Sequence, residues 1–255
     1  NTVVHKQAME FAARVKEATK GAVDIEMLPV ATIVPQADAL DAIKAGLLDG
    51  AAGTMAYQGG KEPAAAFWDL VAGYDNPLHL LMWYRHGGGM DVMNKVAAKW
   101  DAAFLGCIIL GLESIPSKKP IRNVADFKGV KMRSPDGIPA EIFAKLGAAV
   151  SVMPGTEVYT ALDTGKIEAT DWSTLSVNDE AGYNRIAPYA VYPGIHSMNS
   201  MDFVVRRSKW NALSADQKAA VTAAIEEWGM KTWQTQELED RKAAAKRDPN
   251  TLIAW

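Results

Sequence analysis

An alternation of strand and helix patterns in the middle of the chain constrains the fold most. A strand pattern at residues 130–133 is followed by a short loop and by a helix pattern with Ile138, Ile142 and Leu146 on one face. The same step begins again with a strand pattern at residues 150–153. Because two strands of one sheet become parallel when a helix crosses between them, this alternation predicts an α/β fold with helices covering a sheet.

The N-terminal part of the chain shows the same mixture of patterns. A first helix ends at Gly21, and residues 23–27 then alternate apolar and acidic side chains, which predicts a half-buried strand. A second helix pattern carries Leu40, Ile43 and Leu47 in register. This region is therefore also expected to be α/β.

A long apolar strand and a long helix are predicted further along. Residues 104–110 have the composition of a buried strand, and the polar, proline-containing stretch 114–123 is the best candidate for a crossover into a second lobe. Ser214 and Gln217 have the spacing of a capping box, and the helix that they open is expected to reach about Lys246.

Composition excludes several classes of function. The 255 residues include 27 basic and 30 acidic side chains, for a net charge of -3, and no run of Lys or Arg resembles a nucleic-acid footprint or a polybasic membrane anchor. The longest strongly apolar stretches are far shorter than the roughly 20 residues that span a bilayer. The lack of basic clusters means that nucleic acid is not an expected partner, and the lack of long apolar stretches means that no membrane-spanning helix is expected.

The chain has one cysteine, Cys107, which excludes an internal disulfide and a cysteine-rich metal cluster. Cys107 lies within the apolar strand pattern at residues 104–110. A free cysteine in such surroundings usually packs as a small hydrophobe, so we expect a packing role rather than a catalytic one.

Arg133 is the first candidate for ligand binding. It ends a predicted strand, and ligands of open α/β sheets lie beyond the carboxyl ends of the strands. Its guanidinium offers a planar fork for a carboxylate, and the helix that begins nearby adds partial positive charge. The alternative is an exposed arginine paired with Asp136.

Asp171 and Trp172 end another strand pattern, at residues 166–170. Together they supply an anionic oxygen and a flat apolar wall that would exclude water around a small acid. The alternative is that Trp172 is part of the core and that Asp171 caps the helix that follows.

Enzyme motifs are lacking. The four histidines, His5, His79, His86 and His196, have no zinc-site spacing around them, and no GxSxG nucleophile turn is present. A scattered Ser/His/Asp set could still assemble in three dimensions, so an α/β enzyme acting on a small carboxylic acid stays as the alternative function.

Several motifs resemble one family. They are FKGVKMR at 127–133, KLG at 145–147, MP at 153–154, EVY at 157–159, AL at 161–162 and GKIEAT at 165–170. In this pattern the chain resembles the DctP-type periplasmic solute-binding proteins of TRAP transporters, over essentially its whole length. The resemblance implies an α/β, two-lobed periplasmic-binding-protein-like fold with a ligand cleft between the lobes and a long C-terminal helix.

The resemblance implies two lobes. The first comprises residues 1–110 together with residues 203–255, which return to it, and the second comprises residues 111–202. The resemblance also implies further residues before Asn1 and after Trp255. Its functional implication is a receptor, not an enzyme, that carries a small organic acid to the membrane permease subunits of the transporter. We expect it in the periplasm, as a monomer or a homodimer.

A narrower resemblance exists to members that bind 2-oxo acids and related monocarboxylates. It is carried by Tyr57 and by the motifs GKEPA at 60–64, GGG at 87–89 and YPGIH at 192–196. It implies a ligand carboxylate held by Arg133, with Trp172, Asp171, Tyr57 and His196 at the pocket. Which acid binds is left open, because lactate, pyruvate, longer 2-oxo acids and sugar acids share the carboxylate.

The resemblance also implies that a cation, Na⁺ or Ca²⁺, can bridge ligand and protein, with Asp171 and Trp172 as its protein ligands. The chain departs from the pattern of the cation-binding relatives. Residues 138–140 supply no side-chain amide, Asp171 replaces the usual glutamate, and Ser197 stands where an acidic residue is common. The sequence therefore leaves open whether Na⁺ or Ca²⁺ binds.

Overall fold

A computed structural model describes residues 3–69, 74, 76–195 and 198–255. Within these residues the helices are α1 (Val3–Ala18), α2 (Ala39–Ala45), α3 (Pro77–His86), α4 (Gly89–Ala97), α5 (Ile138–Lys145), α6 (Val158–Asp163), α7 (Leu175–Glu180), α8 (Tyr183–Ile186), α9 (Arg207–Ala212) and α10 (Ala215–Ala245). The strands are β1 (Gly50–Gly53), β2 (Ala102–Leu112), β3 (Pro116–Ser117), β4 (Lys131–Ser134), β5 (Ala149–Val152), β6 (Ala169–Thr170), β7 (Tyr189–Val191), β8 (Met198–Arg206) and β9 (Leu252–Ile253).

Contacts between residues divide the chain into two units. Unit 1 comprises Asn1–Thr54, Leu81–Ile109 and Ser200–Trp233. Unit 2 comprises Met55–Leu80, Leu110–Asn199 and Gln234–Trp255. The sequence assigned residues 55–80 and 234–255 to the first lobe, whereas their contacts group them with unit 2. The predicted lobe division stays a prediction.

Unit 1 contains a three-stranded sheet in the order β1-β8-β2, with β1 antiparallel to β8. The apolar face of α1 is buried, and its Phe11 ring lies 4.2 Å from the ring of Phe203, measured between centroids. Cys107 is buried in β2, and this burial raises the pKa of its thiol well above the ordinary value. Because a protonated, buried thiol is inert, the predicted packing role agrees with the structure.

Unit 2 contains a six-stranded sheet in the order β5-β4-β6-β3-β7-β9. Strand β4 is parallel to both of its neighbours, β5 and β6, and β3 is antiparallel to β6 and β7. The helices α5 and α6 follow β4 and β5 along the chain. The predicted alternation of parallel strands and helices is therefore confirmed for this part of the chain.

The long C-terminal helix, α10, ends at Ala245, close to the predicted end at Lys246. Its start is fixed by the predicted capping box. The backbone N–H of Gln217 donates to the Ser214 hydroxyl at 3.2 Å, and the N–H of Ser214 donates to the Gln217 side-chain oxygen at 2.8 Å. These two bonds satisfy N–H groups that have no partner within the helix.

Two expectations for unit 1 were wrong. Residues 23–27 alternate between half-buried and exposed side chains as expected, but the structure shows no strand there. An alternating apolar pattern shows only that one face of an extended segment is buried. A strand also needs a hydrogen-bonded neighbour, which this segment lacks among the described strands. Leu47 is 66% exposed, because α2 ends at Ala45 and Gly46 turns the chain in a left-handed conformation.

No helix among the described residues is both long enough and apolar enough to cross a membrane.

Candidate functional site

The site lies in unit 2, where three parallel strands end side by side. Arg133 pairs with Ser151 of β5 and with Thr170 of β6, so it is flanked on both sides. Met153 directly follows β5, and Asp171 directly follows β6. The carboxyl ends of parallel strands meet at one edge of a sheet, and this edge is where ligands of α/β folds bind.

The Arg133 side chain is only 1% exposed. Its Nε donates to the Met153 carbonyl oxygen at 3.0 Å, and its Nη1 donates to the Asp171 carbonyl oxygen at 2.6 Å. Nη1 also lies 3.4 Å from the Asp171 carboxylate atom Oδ1. The alternative pairing of an exposed Arg133 with Asp136 was wrong, since Arg133 is buried and its ion-pair partner is Asp171.

The remaining guanidinium nitrogen, Nη2, is buried and has no hydrogen-bond partner among the described residues. Burial lowers the pKa of Arg133, but the charge of Asp171 and the interaction with the Tyr57 hydroxyl raise it, and the net pKa is raised above its ordinary value. The guanidinium is therefore charged. A buried, charged N–H group without an acceptor is costly, by about 1–3 kcal/mol or more.

Asp171 is the internal counter-ion of Arg133. Its carboxylate is 1% exposed, and Oδ2 accepts a hydrogen bond from the Ser134 hydroxyl at 2.8 Å. A paired, hydrogen-bonded carboxylate is stable in such surroundings, whereas removal of its partner would leave a buried charge. Asp171 is not a cap of α7, because the Thr174 residue at the N-cap position of that helix lies three residues further on.

Two aromatic rings, those of Trp172 and Tyr183, lie close to Arg133 and Asp171 in the site. The half-buried Trp172 ring contacts the Tyr183 ring edge-on, with centroids 5.0 Å apart. The Tyr183 hydroxyl donates to the Gly155 carbonyl oxygen at 3.3 Å. Burial raises the pKa of Tyr183 to about 12, against a lowering by Arg133, so its hydroxyl is neutral at physiological pH.

Gly155 allows this arrangement. A Cβ atom at this position would lie 2.4 Å from Trp172 Nε1 and 3.4 Å from the Tyr57 hydroxyl oxygen. Only a residue without a side chain fits between these groups. Gly155 thus marks a point where Trp172 and Tyr57 approach the same stretch of backbone.

Tyr57 lies in a single 3-10 turn, Met55–Gln58, and not in an extended continuation of β1. Close backbone packing holds the segment after this turn against the loop after β4. A Cβ atom on Gly60 would lie 2.1 Å from Asp136 Oδ2, and one on Gly137 would lie 3.6 Å from the Gly59 Cα atom. Tyr57 is thereby near enough to Arg133 to raise its pKa.

The structure brings Arg133, Asp171, Trp172 and Tyr57 close together, and their roles in ligand binding stay a prediction. His196 lies outside the described residues. Sequence reasoning missed the contributions of Gly155 and Tyr183. Neither belongs to a recognisable motif, and only the fold shows that they touch Trp172.

Comparison with known proteins places the chain in a family. The family model for bacterial extracellular solute-binding proteins, family 7, matches residues 1–250. A monocarboxylate 2-oxoacid-binding periplasmic protein from Nostoc sp. is 33% identical over 222 residues, which are 86% of this chain and 61% of that relative. The chain therefore spans less than two thirds of the length of this curated relative.

Two solved structures have the same fold. A TRAP periplasmic solute-binding protein from Rhodobacter sphaeroides, in an apo open form, is 37% identical with a TM-score of 0.78, covering 100% of this chain and 82% of that chain. Another, from Pseudoalteromonas atlantica with bound sodium and pyruvate, is 26% identical with a TM-score of 0.87, covering 100% and 79%. These matches confirm the predicted resemblance and fold class. The chain belongs to the bacterial extracellular solute-binding proteins of family 7, the DctP family.

Proposed function

We propose that this chain is the extracytoplasmic solute receptor of a TRAP transporter. It binds a small monocarboxylate, of which a 2-oxo acid such as pyruvate is the best candidate, and delivers it to the membrane permease. It acts in the periplasm, as a monomer or a homodimer, and binds the acid without transforming it. One observation carries this proposal, namely that Arg133 is buried and charged and has one nitrogen, Nη2, without a hydrogen-bond partner among the described residues.

A carboxylate oxygen is the acceptor that this nitrogen lacks. The carbonyl oxygens of Met153 and Asp171 already occupy Nε and Nη1. The two-nitrogen fork expected from the sequence is therefore reduced to Nη2 alone, which can still donate a charge-assisted bond to the ligand. The Tyr57 hydroxyl and the Trp172 indole N–H are neutral donors close by, and Trp172 adds an apolar wall.

The relatives support a small acid. The Nostoc relative is named for binding monocarboxylate 2-oxo acids, and the Pseudoalteromonas neighbour holds pyruvate. The site also favours binding over turnover, because the Asp171 carboxylate and the Tyr183 hydroxyl are poorly suited to accept a proton. Asp171 is paired with Arg133 and Ser134, and Tyr183, with a pKa of about 12, is a poor proton acceptor at neutral pH.

We also propose that Na⁺ or Ca²⁺ binds together with the acid. The charge of Arg133 is already balanced by Asp171, so a second carboxylate leaves the site with an excess negative charge. Oxygen atoms suit both cations. We propose that Asp171 would offer its carboxylate and Trp172 its backbone carbonyl, since the indole ring offers no acceptor oxygen. No group of three or more His, Cys, Asp or Glu side chains within the described part of the chain could hold a metal. The acid itself would therefore supply oxygen ligands to the cation.

Replacement of Arg133 tests the proposal. Arg133→Ala removes the donor and is expected to weaken pyruvate binding by at least 100-fold, about 3 kcal/mol. Because this change also strips Asp171 of its counter-ion, Arg133→Lys serves as a second variant that keeps a positive charge but loses the geometry of the guanidinium. The affinities are measured by isothermal titration calorimetry, after thermal melts have shown that each variant is folded.

Arg122 provides the matched control, since it is an exposed arginine of the same unit. Arg122→Ala should bind pyruvate as the wild type does. If the Arg133 variants were folded and kept wild-type affinity, Arg133 would not be the anchor of the acid.

A further inference from the structure

The start of α7, three residues after Trp172, is not capped by its own segment. Thr174 stands at the N-cap position, but its side chain makes no capping hydrogen bond. Its hydroxyl oxygen instead accepts a bond from Gln236 Nε2 at 3.0 Å. The N–H groups of the first helical turn need an acceptor from elsewhere.

Asp240 of α10 supplies this acceptor. Its Oδ1 accepts the backbone N–H of Ser176 at 2.8 Å and the Ser176 hydroxyl at 2.5 Å. Gln236, one turn earlier on α10, also donates to Asp240 Oδ1 at 3.3 Å and to the Ser176 hydroxyl oxygen. A carboxylate from a distant helix thus replaces a local cap, with its negative charge at the positive end of α7.

The pKa of Asp240 is raised in the folded protein. Burial raises its pKa, against a lowering by its hydrogen bonds from Ser176, Thr174 and Gln236, and the net pKa is raised. A carboxyl group whose pKa is raised in the folded state favours folding when it is protonated, and this contribution is lost as the pH rises through the folded-state pKa. Two other charged residues of α10, Glu237 and Arg241, lie near Asp240. Together with Asp240 they affect the pKa of the neighbouring Tyr192.

The segment from Asp171 to Ser176 is held at both ends. Arg133 and Ser134 fix Asp171 at one end, and Gln236 and Asp240 fix Thr174 and Ser176 at the other. Trp172 lies between these two anchors. Because Ser176 is only four residues from Trp172, a shift of Ser176 would also move the Trp172 ring, the aromatic wall of the site.

We propose that Asp240 and Gln236 are positioning residues of the ligand site, which hold Trp172 and Asp171 in place through the start of α7. This inference rests on the proposed function, since it assigns to α10 a part in acid binding. In this proposal both side chains act through Thr174 and Ser176, and not by direct contact with the ligand.

Asp240→Asn is the main test. The amide has the same shape and keeps Oδ1 as an acceptor, but it removes the charge, and neutral hydrogen bonds are roughly half as strong as charge-assisted ones. We expect the Kd for pyruvate at pH 7.5 to rise about fivefold, while Tm is unchanged or higher because a buried charge has been removed. A merely structural role predicts the opposite combination, a lower Tm with unchanged affinity.

The pH profile separates the charge of Asp240 from its shape. As the pH falls through the pKa of Asp240, the wild-type Kd should rise toward that of Asp240→Asn, whereas the Kd of the variant should stay flat over the same range. Gln236→Leu, which removes the donors at similar volume, is expected to weaken pyruvate binding in the same direction.

The control is Glu239→Gln, which changes the same charge on an exposed neighbour in α10 and should bind as the wild type does. Wild-type affinity in both Asp240→Asn and Gln236→Leu, together with a large loss in Arg133→Lys, would overturn the positioning role and leave the receptor function intact. A wild type that bound no small carboxylic acid, whether a 2-oxo acid, a hydroxy acid or a sugar acid, would overturn the receptor function and the positioning role with it.

Discussion

At the scale of single residues, Arg133 shows how far local sequence reasoning reaches. Its position at the end of a strand could be predicted from the pattern of residues 130–133, and the structure confirms that position. Its partner could not be predicted, because Asp136 is near in sequence whereas Asp171 is near only after β6 pairs with β4. Its role as the anchor of the acid stays a prediction.

Gly155 and Tyr183 show the opposite case. A glycine after a proline predicts a turn, and a tyrosine in a short helix predicts little. Their importance arises because the fold packs both against Trp172, a contact between residues that are distant in sequence.

Gly155→Ala tests this contact. The added methyl would lie 2.4 Å from Trp172 Nε1, so Trp172 must move, at a cost of about 1–3 kcal/mol. We expect a lower Tm together with weaker pyruvate binding, measured by thermal melts and calorimetry.

Gly129→Ala is a suitable comparison. Gly129 has a positive φ of 77° but no atom within 4 Å of a new Cβ. This variant should also lose about 1 kcal/mol of stability, through backbone strain alone, with its affinity for pyruvate unchanged. Equal affinities in the two variants would show that Gly155 does not position Trp172.

At the scale of elements, predictions succeeded where the signal was local. The capping box of α10 depends on two side chains three residues apart, and both of its bonds form. The strand expected at residues 23–27 depended on a partner elsewhere in the chain, which alternation cannot reveal. The caps that Asp240 gives to α7 are equally hidden, because their donor and acceptor lie 64 residues apart.

Ser214→Ala tests the local signal. Loss of this N-cap hydroxyl is expected to reduce the free energy of unfolding by about 1 kcal/mol, as measured by urea denaturation. Gln217→Ala removes the reciprocal bond, and the double variant should lose less than the sum of the two single variants because they share one motif.

Ser208→Ala serves as the control, since Ser208 is exposed within α9. All of these variants should keep wild-type affinity for pyruvate. A Ser214→Ala variant as stable as Ser208→Ala would show that the capping box contributes nothing to stability.

At the scale of the whole chain, the α/β class, the long C-terminal helix and the family could be predicted from the sequence. The α/β class follows from repeated short patterns, so an error in one element does not alter it. It was harder to predict that residues 55–80 belong to unit 2. Their Gly59 and Gly60 lie close to Asp136 in the loop after β4, and such a contact between residues distant in sequence leaves no local pattern.

The proposed cation can be tested on the intact protein. A ligand at 100 times its Kd stabilises the folded state by about 2.7 kcal/mol, which raises Tm by about 5–10 °C for a chain of this size. After treatment with a chelator in buffer free of sodium and calcium, pyruvate is expected to give a smaller shift. Added Na⁺ or Ca²⁺ should restore the full shift, and an identical shift under all conditions would contradict the cation proposal.

The ion pair of Arg133 and Asp171 has a consequence for how the proposed receptor would release its bound acid. When the acid leaves, the guanidinium keeps Asp171 as a resident counter-ion, so departure does not strand an uncompensated charge inside the protein. Release of the acid therefore costs less free energy than it would if the acid were the only counter-ion of Arg133. For the proposed receptor, which would release its acid to a permease in every cycle, this permanent counter-ion makes release easier and binding less tight.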